Sequence, residues 1–474
     1  MEEQTLEMRL GDTLAPSETP ATVESPVLCP SSINEKVLIR RIDIRVIPML
    51  VIIALSSFLD RVNISNALTM SLPKDLGLKG VETNVALTIF FIPYILFEIP
   101  SNLFLYALCS LESSHLPRVL VGPLIGPIDG MLKIKTVTTY RGLLVTRFFL
   151  GLAEAGVYPG SFYLISTWYK REESQKRFTA FYGSVFIANI CGGLLASGIA
   201  KMDGIRGLHN WRWIFILEGA FTLLVGILSL FLVAEFPENA TWLSDEERKF
   251  VIARAKCTGQ TDNITPRDIV VFFKDPNNIL AGIMYLCRSP FAYFTPTIVK
   301  TLGYSVIQTQ LHSVPPIAAA FVLCTLLAYL SDKVRLRFPF IAFGIILGIS
   351  GLSIMMTIRH NFSVQYAGLC LAAMGLFSCS PLIICWYVMN FQSHTERAIG
   401  TAWLNAFGNC GGFVATFAFL QTDAPYYHIG YTICMVAVCL CGGAASLYAL
   451  LLRRKNMALR SSTMGEKSTP YYSL

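Results

Sequence analysis

Apolar runs of roughly twenty residues recur along the whole chain, each long enough to cross a bilayer, and they constrain this sequence more than any other feature. Inside lipid every backbone amide and carbonyl must be satisfied within the segment itself, so such runs can only be helices. They lie near 46–70, 84–106, 116–138, 142–168, 178–200 and 211–233. After a polar stretch from 234 to 276 they resume near 277–299, 311–331, 338–358, 364–389, 398–420 and 428–452. The pattern predicts an all-α membrane protein of twelve transmembrane helices in two bundles of six. Of the 474 residues 53% are hydrophobic and only 15% charged, which is outside the range of a soluble enzyme.

Lysine and arginine set the orientation. Lys36, Arg40, Arg41 and Arg45 precede the first span; Lys170, Arg171, Lys176 and Arg177 lie between the fourth and fifth; Lys333, Arg335 and Arg337 lie between the eighth and ninth; Arg453, Arg454 and Lys455 follow the twelfth. All fall on one side, which the positive-inside rule makes cytosolic. Lys133, Lys135 and Arg206 reduce the contrast with the opposite loops. The net charge of +7 resides in these clusters, so nucleic acid is not an expected partner. The expected organisation is a disordered cytosolic tail over 1–40, a six-helix bundle over 41–235, a cytosolic linker over 236–276, a second bundle over 277–452 and a cytosolic tail over 453–474. In the linker, Ser244 and Glu247 have the spacing of a capping box, which predicts a short charged helix running through Lys256.

Within the first span, Asp60 and Arg61 interrupt the apolar run. A charge at the centre of a membrane helix costs about 2.5–3.5 kcal/mol on insertion scales, so it needs a partner or a hydrated cavity. The fourth span supplies Arg147 and Glu154, seven residues apart and therefore on one helix face about 10 Å apart along the axis. Too far apart to pair with each other, they are expected to meet Asp60 and Arg61 of the first span. Two acids and two arginines nearly neutralise one another. An acid drawn away from its arginine takes up a proton, and the released arginine is free to bind an anion.

Tyr94 and the nearby acid Glu98 lie in the second span. Asn405 and Asn409, one turn apart in the eleventh, can donate to a bound polar group, and Arg288 stands beside Pro290 in the broken seventh span. The halves also repeat. Lys176-Arg177 leads to Asn189-Ile190-Cys191-Gly192-Gly193, and Glu396-Arg397 leads to Gly408-Asn409-Cys410-Gly411-Gly412, as parallel transporter repeats predict. No Walker loop is present. The six histidines lie in loops or near helix ends, and the cysteines form no CxxC pair. An enzyme, a metal site and a cofactor are therefore not expected.

The motifs Leu59-Asp60-Arg61-Val62-Asn63-Ile64-Ser65-Asn66-Ala67, Phe91-Ile92-Pro93-Tyr94 through Asn102, Arg147 through Gly156, Trp211 through Gly219 and Tyr329-Leu330-Ser331-Asp332 together resemble the major facilitator superfamily. Within it they resemble the anion:cation symporters, in the fungal branch of allantoate-permease-like carboxylate transporters. The resemblance implies the major facilitator fold and proton-coupled import of a small organic anion such as allantoate, nicotinate, pantothenate or biotin. It further implies proton coupling at Asp60 and Glu154 and anion binding at Arg61; the residues themselves add Tyr94, Arg147, Arg288, Asn405 and Asn409 as expected substrate contacts. Gating by Asp332, Lys333, Arg335 and Arg337 and a monomer in the plasma membrane complete the expectation. A transporter-like receptor for the same acid, or a transport-defective paralogue, is the alternative. Residues 107–139, with Glu112, Pro117, Pro123, Pro127 and Asp129, depart from the family's apolar third span. Because both termini are expected on the cytosolic side, fluorescent reporters fused at either end should be quenched only after the membrane is permeabilised.

Overall fold

The computed structural model describes residues 33–98, 100–101, 139–256, 272–287, 295–301, 303–334, 336–358, 361–391, 394–419, 423 and 427–462. The expected third span, most of the two tails, and Arg288 and Arg335 lie outside these residues. Helices dominate: α1 (Glu35–Thr69), α2 (Glu82–Thr88), α3 (91–98), α4 (Tyr140–Glu154), α5 (Val157–Trp168), α6 (Arg171–Ile199), α7 (Asn210–Leu232) and α8 (Asp245–Lys256) come first. Then follow α9 (Pro276–Cys287), α10 (Thr295–Thr301), α11 (Val306–Val334), α12 (Phe338–Thr357), α13 (Phe362–Met389), α14 (His394–Ala418) and α15 (His428–Ser462). Among the described residues seven helices are long and apolar enough to cross a membrane.

Two expected spans are broken, at equivalent points relative to a proline. The second divides into α2 and α3 at 89–90, and the fourth into α4 and α5 at 155–156. Pro93 and Pro159 each withhold the amide that would bond to the carbonyl four residues earlier, that of Ile89 and of Ala155. The break in one span is packed against the other: a Cβ added to Gly151 would lie 2.1 Å from the carbonyl oxygen of Phe90. Only glycine permits that approach, and it places α4 directly beside α2 and α3.

Helix α1 is 35 residues long, about 50 Å at 1.5 Å per residue, so its first turns extend past the hydrocarbon. Asn34 caps it, accepting from the Val37 amide. Its buried face carries Ser56, Ser57, Asp60, Arg61, Asn63, Ser65 and Asn66, which fixes α1 as an interior helix. In the second half, Gly344, Gly348 and Gly351 of α12 face Gly368, Ala372 and Gly375 of α13 with backbone atoms in near contact. Small residues take this role in membranes because helix association depends on close van der Waals packing.

The chain between the halves docks back onto the first. Ser244 and Glu247 form the reciprocal capping pair at the start of α8, with N···O distances of 3.1 and 3.2 Å. Arg254 is buried between Glu35 of α1 and Glu173 of α6, and Glu247 pairs with Arg41 at 3.1 Å. Phe250 and Val251 join the apolar cluster of Leu38, Ile42 and Val46. Gly151→Ala is expected to destabilise the protein by about 1–3 kcal/mol through overpacking. Gly443→Ala, with nothing within 4 Å of the added carbon, should be neutral; thermal unfolding in detergent compares the two.

Candidate functional site

Arg61 is the centre of a buried constellation. Its guanidinium lies 3.5 Å from Glu154, and the two side chains are 8% and 2% exposed. Glu154, the last residue of α4, is aimed at α1 by the chain break behind it and also accepts from the Ser57 hydroxyl at 3.0 Å. Four rings surround the guanidinium: Phe58 at 5.7 Å, Phe90 at 5.0 Å, Tyr94 at 4.6 Å and Tyr158 at 5.8 Å from carbon to centroid. Aromatic faces attract a cation by about 2 kcal/mol or more when desolvated. Arg61 is thus held by one carboxylate and a cage of π electrons.

Asp60, one residue earlier, turns away by about 100° toward α7, where the Thr222 hydroxyl donates to it at 2.9 Å. Arg147 does not pair with the Asp60 carboxylate. Its guanidinium donates to the Asp60 backbone carbonyl at 3.3 Å and lies 5.6 Å from the Phe215 ring. The fourth span's arginine therefore binds the main chain of α1, and its acid binds the arginine of α1.

A cavity of about 100 Å³ lies between the two halves of the chain. Its polar lining includes Asn66, Asn189, Gln310, Asn405 and Asn409, and Phe58 and Tyr158 form part of its wall. None of Asp60, Arg61, Arg147 and Glu154 lines it: Arg61, paired with Glu154, lies against the Phe58 and Tyr158 rings, while Asp60 and Arg147 meet Thr222 and Phe215 of α7. Tyr94 is likewise fully buried, its ring under the Arg61 guanidinium. The sequence predicts that these four charges meet one another in the interior. In the structure the rings of Phe58 and Tyr158 stand between Arg61 and the cavity, and the guanidinium takes its contacts from Glu154 and the rings around it.

Asn405 and Asn409 do reach the cavity, and both also donate to Glu98 of α3. This links the second span to the eleventh. Further links between the halves are the hydroxyls of Tyr182 and Tyr285 at 2.8 Å, Lys300 to the Thr69 carbonyl at 2.9 Å and Gln310 to the Thr69 hydroxyl at 2.8 Å. Asn84 donates to the carbonyls of Thr416 and Phe419. At the far end of α11, Arg337 is buried, donates to the Ser331 hydroxyl at 2.7 Å and pairs with Asp332, while Lys333 is exposed.

Sequence reasoning passes over Glu218 as a site residue. It is 3% exposed, one turn before Thr222 on α7, and its polar neighbour among the described residues is Asn63 of α1. The signal was present: an acid inside an apolar run, the pattern that singles out Asp60. Tyr182, Tyr285 and Gln310 have no such signal, because tyrosine and glutamine carry no charge to mark them.

Residues 50–416 match the family profile described as Major Facilitator Superfamily. The chain is 30% identical over 450 residues to the MFS-type transporter cnsO of Penicillium expansum, covering 90% of this chain and 85% of that protein. It is 30% identical over 381 residues to a putative tartrate transporter of Agrobacterium vitis, covering 79% and 83%. Among solved structures, a bacterial homolog to the human lysosomal transporter Spinster, inward-facing and occupied, superposes with a TM-score of 0.63 at 15% identity over 88% of this chain and 96% of that one. A D-xylose-proton symporter superposes at 0.62 and 15% over 87% and 97%. At such identities the likeness is one of fold.

Replacing Asn405 and Asn409 together with alanine strands the Glu98 carboxyl, and the unfolding temperature should fall as expected for a loss of about 1–3 kcal/mol. Adding Glu98→Met to that variant should recover much of the loss, since no buried acceptor is then left without donors.

Proposed function

The chain belongs to the major facilitator superfamily and is a multi-pass membrane transporter, and from that premise we propose that it imports a small organic carboxylate by proton symport with alternating access. On this reading it is an anion:cation symporter of the fungal allantoate-permease-like branch, working as a monomer in the plasma membrane with both termini cytosolic. Vitamin or nitrogen-source acids are the substrate class. The observation that carries the reading is the buried Arg61–Glu154 pair behind the aromatic wall of the cavity.

Protonation of Glu154 removes the charge that holds Arg61. A guanidinium in a low-dielectric interior then lacks a counter-ion, and a substrate carboxylate in the adjoining cavity supplies one. Movement of the Phe58 and Tyr158 rings opens the path. Asn405 and Asn409 offer donors from the opposite side of the cavity, and their exchange between Glu98 and the substrate couples binding to the contact between the halves. Asp60, held by Thr222, is the second coupling acid, and Arg147 positions it by gripping its backbone. Arg288 is retained as a proposed anion contact. Gating at the end of α11 is assigned to Asp332, Lys333, Arg335 and Arg337, with the Arg337–Asp332 pair as the latch. The name of the Agrobacterium vitis relative, which refers to a dicarboxylate, supports the anionic substrate class.

Asp60→Asn and Glu154→Gln should each abolish accumulation driven by an inward proton gradient while leaving counter-exchange of labelled carboxylate measurable in proteoliposomes. Arg61→Gln should abolish both. Gradient-driven accumulation that survives in both acid variants would remove these residues from the coupling mechanism.

A further inference from the structure

Where α1 and α7 leave the apolar band, a second cavity of about 570 Å³ opens away from the contact between the halves. Pro48, Phe231 and Leu232 build one side of it, and Phe231 and Leu232 are 81% and 55% exposed at the end of a helix long enough to span. Side chains so placed face acyl chains. The other side is polar, with Arg45, Glu235 and Trp242. The Arg45 guanidinium lies 4.8 Å from the Trp242 ring, which stacks on Trp168 at 5.5 Å, so the cation rests on a fixed aromatic shelf. A tryptophan with a basic residue at this level is typical of the membrane interface.

Neither Arg45 nor Glu235 has an ion-pair partner among the described residues. The cavity thus presents an uncompensated cation and an uncompensated anion at one end and hydrocarbon at the other. An anionic lipid would satisfy Arg45 but meet Glu235 with like charge. A quaternary ammonium headgroup would satisfy charge at Glu235 but has no N–H to donate. We propose that this is a binding site for a phospholipid whose headgroup carries a phosphodiester and a primary ammonium, the phosphate held by Arg45 and the ammonium by Glu235. Its acyl chains run along Phe231 and Leu232, in the leaflet that the lysine and arginine clusters mark as cytosolic. The site lies outside the transport pathway, so it stands or falls separately from the symport reading.

Native mass spectrometry of the purified full-length protein with phosphatidylethanolamine, phosphatidylcholine and phosphatidylglycerol of matched acyl chains tests it. The unaltered protein should retain phosphatidylethanolamine over the other two by roughly tenfold, the factor expected for one added charge-assisted hydrogen bond. Arg45→Gln should lose retention of all three, and Glu235→Gln should retain phosphatidylethanolamine and phosphatidylglycerol equally. Glu235 is only half-buried, so its substitution leaves the core intact, and the headgroup comparison on the unaltered protein needs no variant. Equal retention of the three lipids, a preference for phosphatidylglycerol, or a preference unchanged by both substitutions overturns the proposal.

Discussion

Bringing Arg61 and Glu154 out of water is the cost around which the first half of the molecule is arranged. Each ion loses several kcal/mol of solvation even after relaxation, and mutual attraction offsets this only with good geometry and further contacts. The further contacts are present. Ser57 donates to the carboxylate, and four aromatic rings cover the guanidinium. They in turn require α3, α4 and α5 to converge on α1, which the proline-linked breaks and the glycine at 151 allow. The irregular backbone of the second and fourth spans is therefore the means by which three short segments reach one charge.

The same economy links the halves. Polar groups in a membrane interior have few alternatives, and several at the central seam find a partner across it. Glu98 with Asn405 and Asn409, Tyr182 with Tyr285, and Gln310 and Lys300 with Thr69 are contacts of one or two hydrogen bonds each. Single hydrogen bonds within membranes contribute about 1 kcal/mol or less to as much as 2. A seam held by several such bonds is firm enough to define one arrangement and weak enough to exchange it for another, as the proposed alternating access requires.

Much of the site was legible because charge in an apolar run is conspicuous. Asp60, Arg61, Arg147 and Glu154 announce themselves by their expense, and the helical period correctly keeps Arg147 from pairing with Glu154. It could not reveal which group each would meet. Adjacent residues diverge by about 100° on a helix, so whether α4 approaches the Asp60 face or the Arg61 face depends on helix rotation and depth. The outcome is mixed: Arg61 takes the Glu154 carboxylate, and Arg147 takes a backbone carbonyl, a partner that no sequence pattern marks. Glu218 carries the same signal as Asp60, an acid inside an apolar run, but with no charged residue adjacent to it in the chain.

Sequence by itself determined the all-helical membrane class, the capping box at Ser244 and the identity of the expensive charges Asp60, Arg61, Arg147 and Glu154. Hydrophobic length and intrachain hydrogen bonding are local properties, and local properties are written in consecutive residues. Tertiary structure alone decided that an aromatic layer stands between Arg61 and the cavity, that Glu98 reaches across to Asn405 and Asn409, and that Arg45, Glu235 and Trp242 meet at one groove. Those relations join residues up to about three hundred positions apart, and they depend on helix tilt, rotation and breaks, which periodicity leaves unspecified.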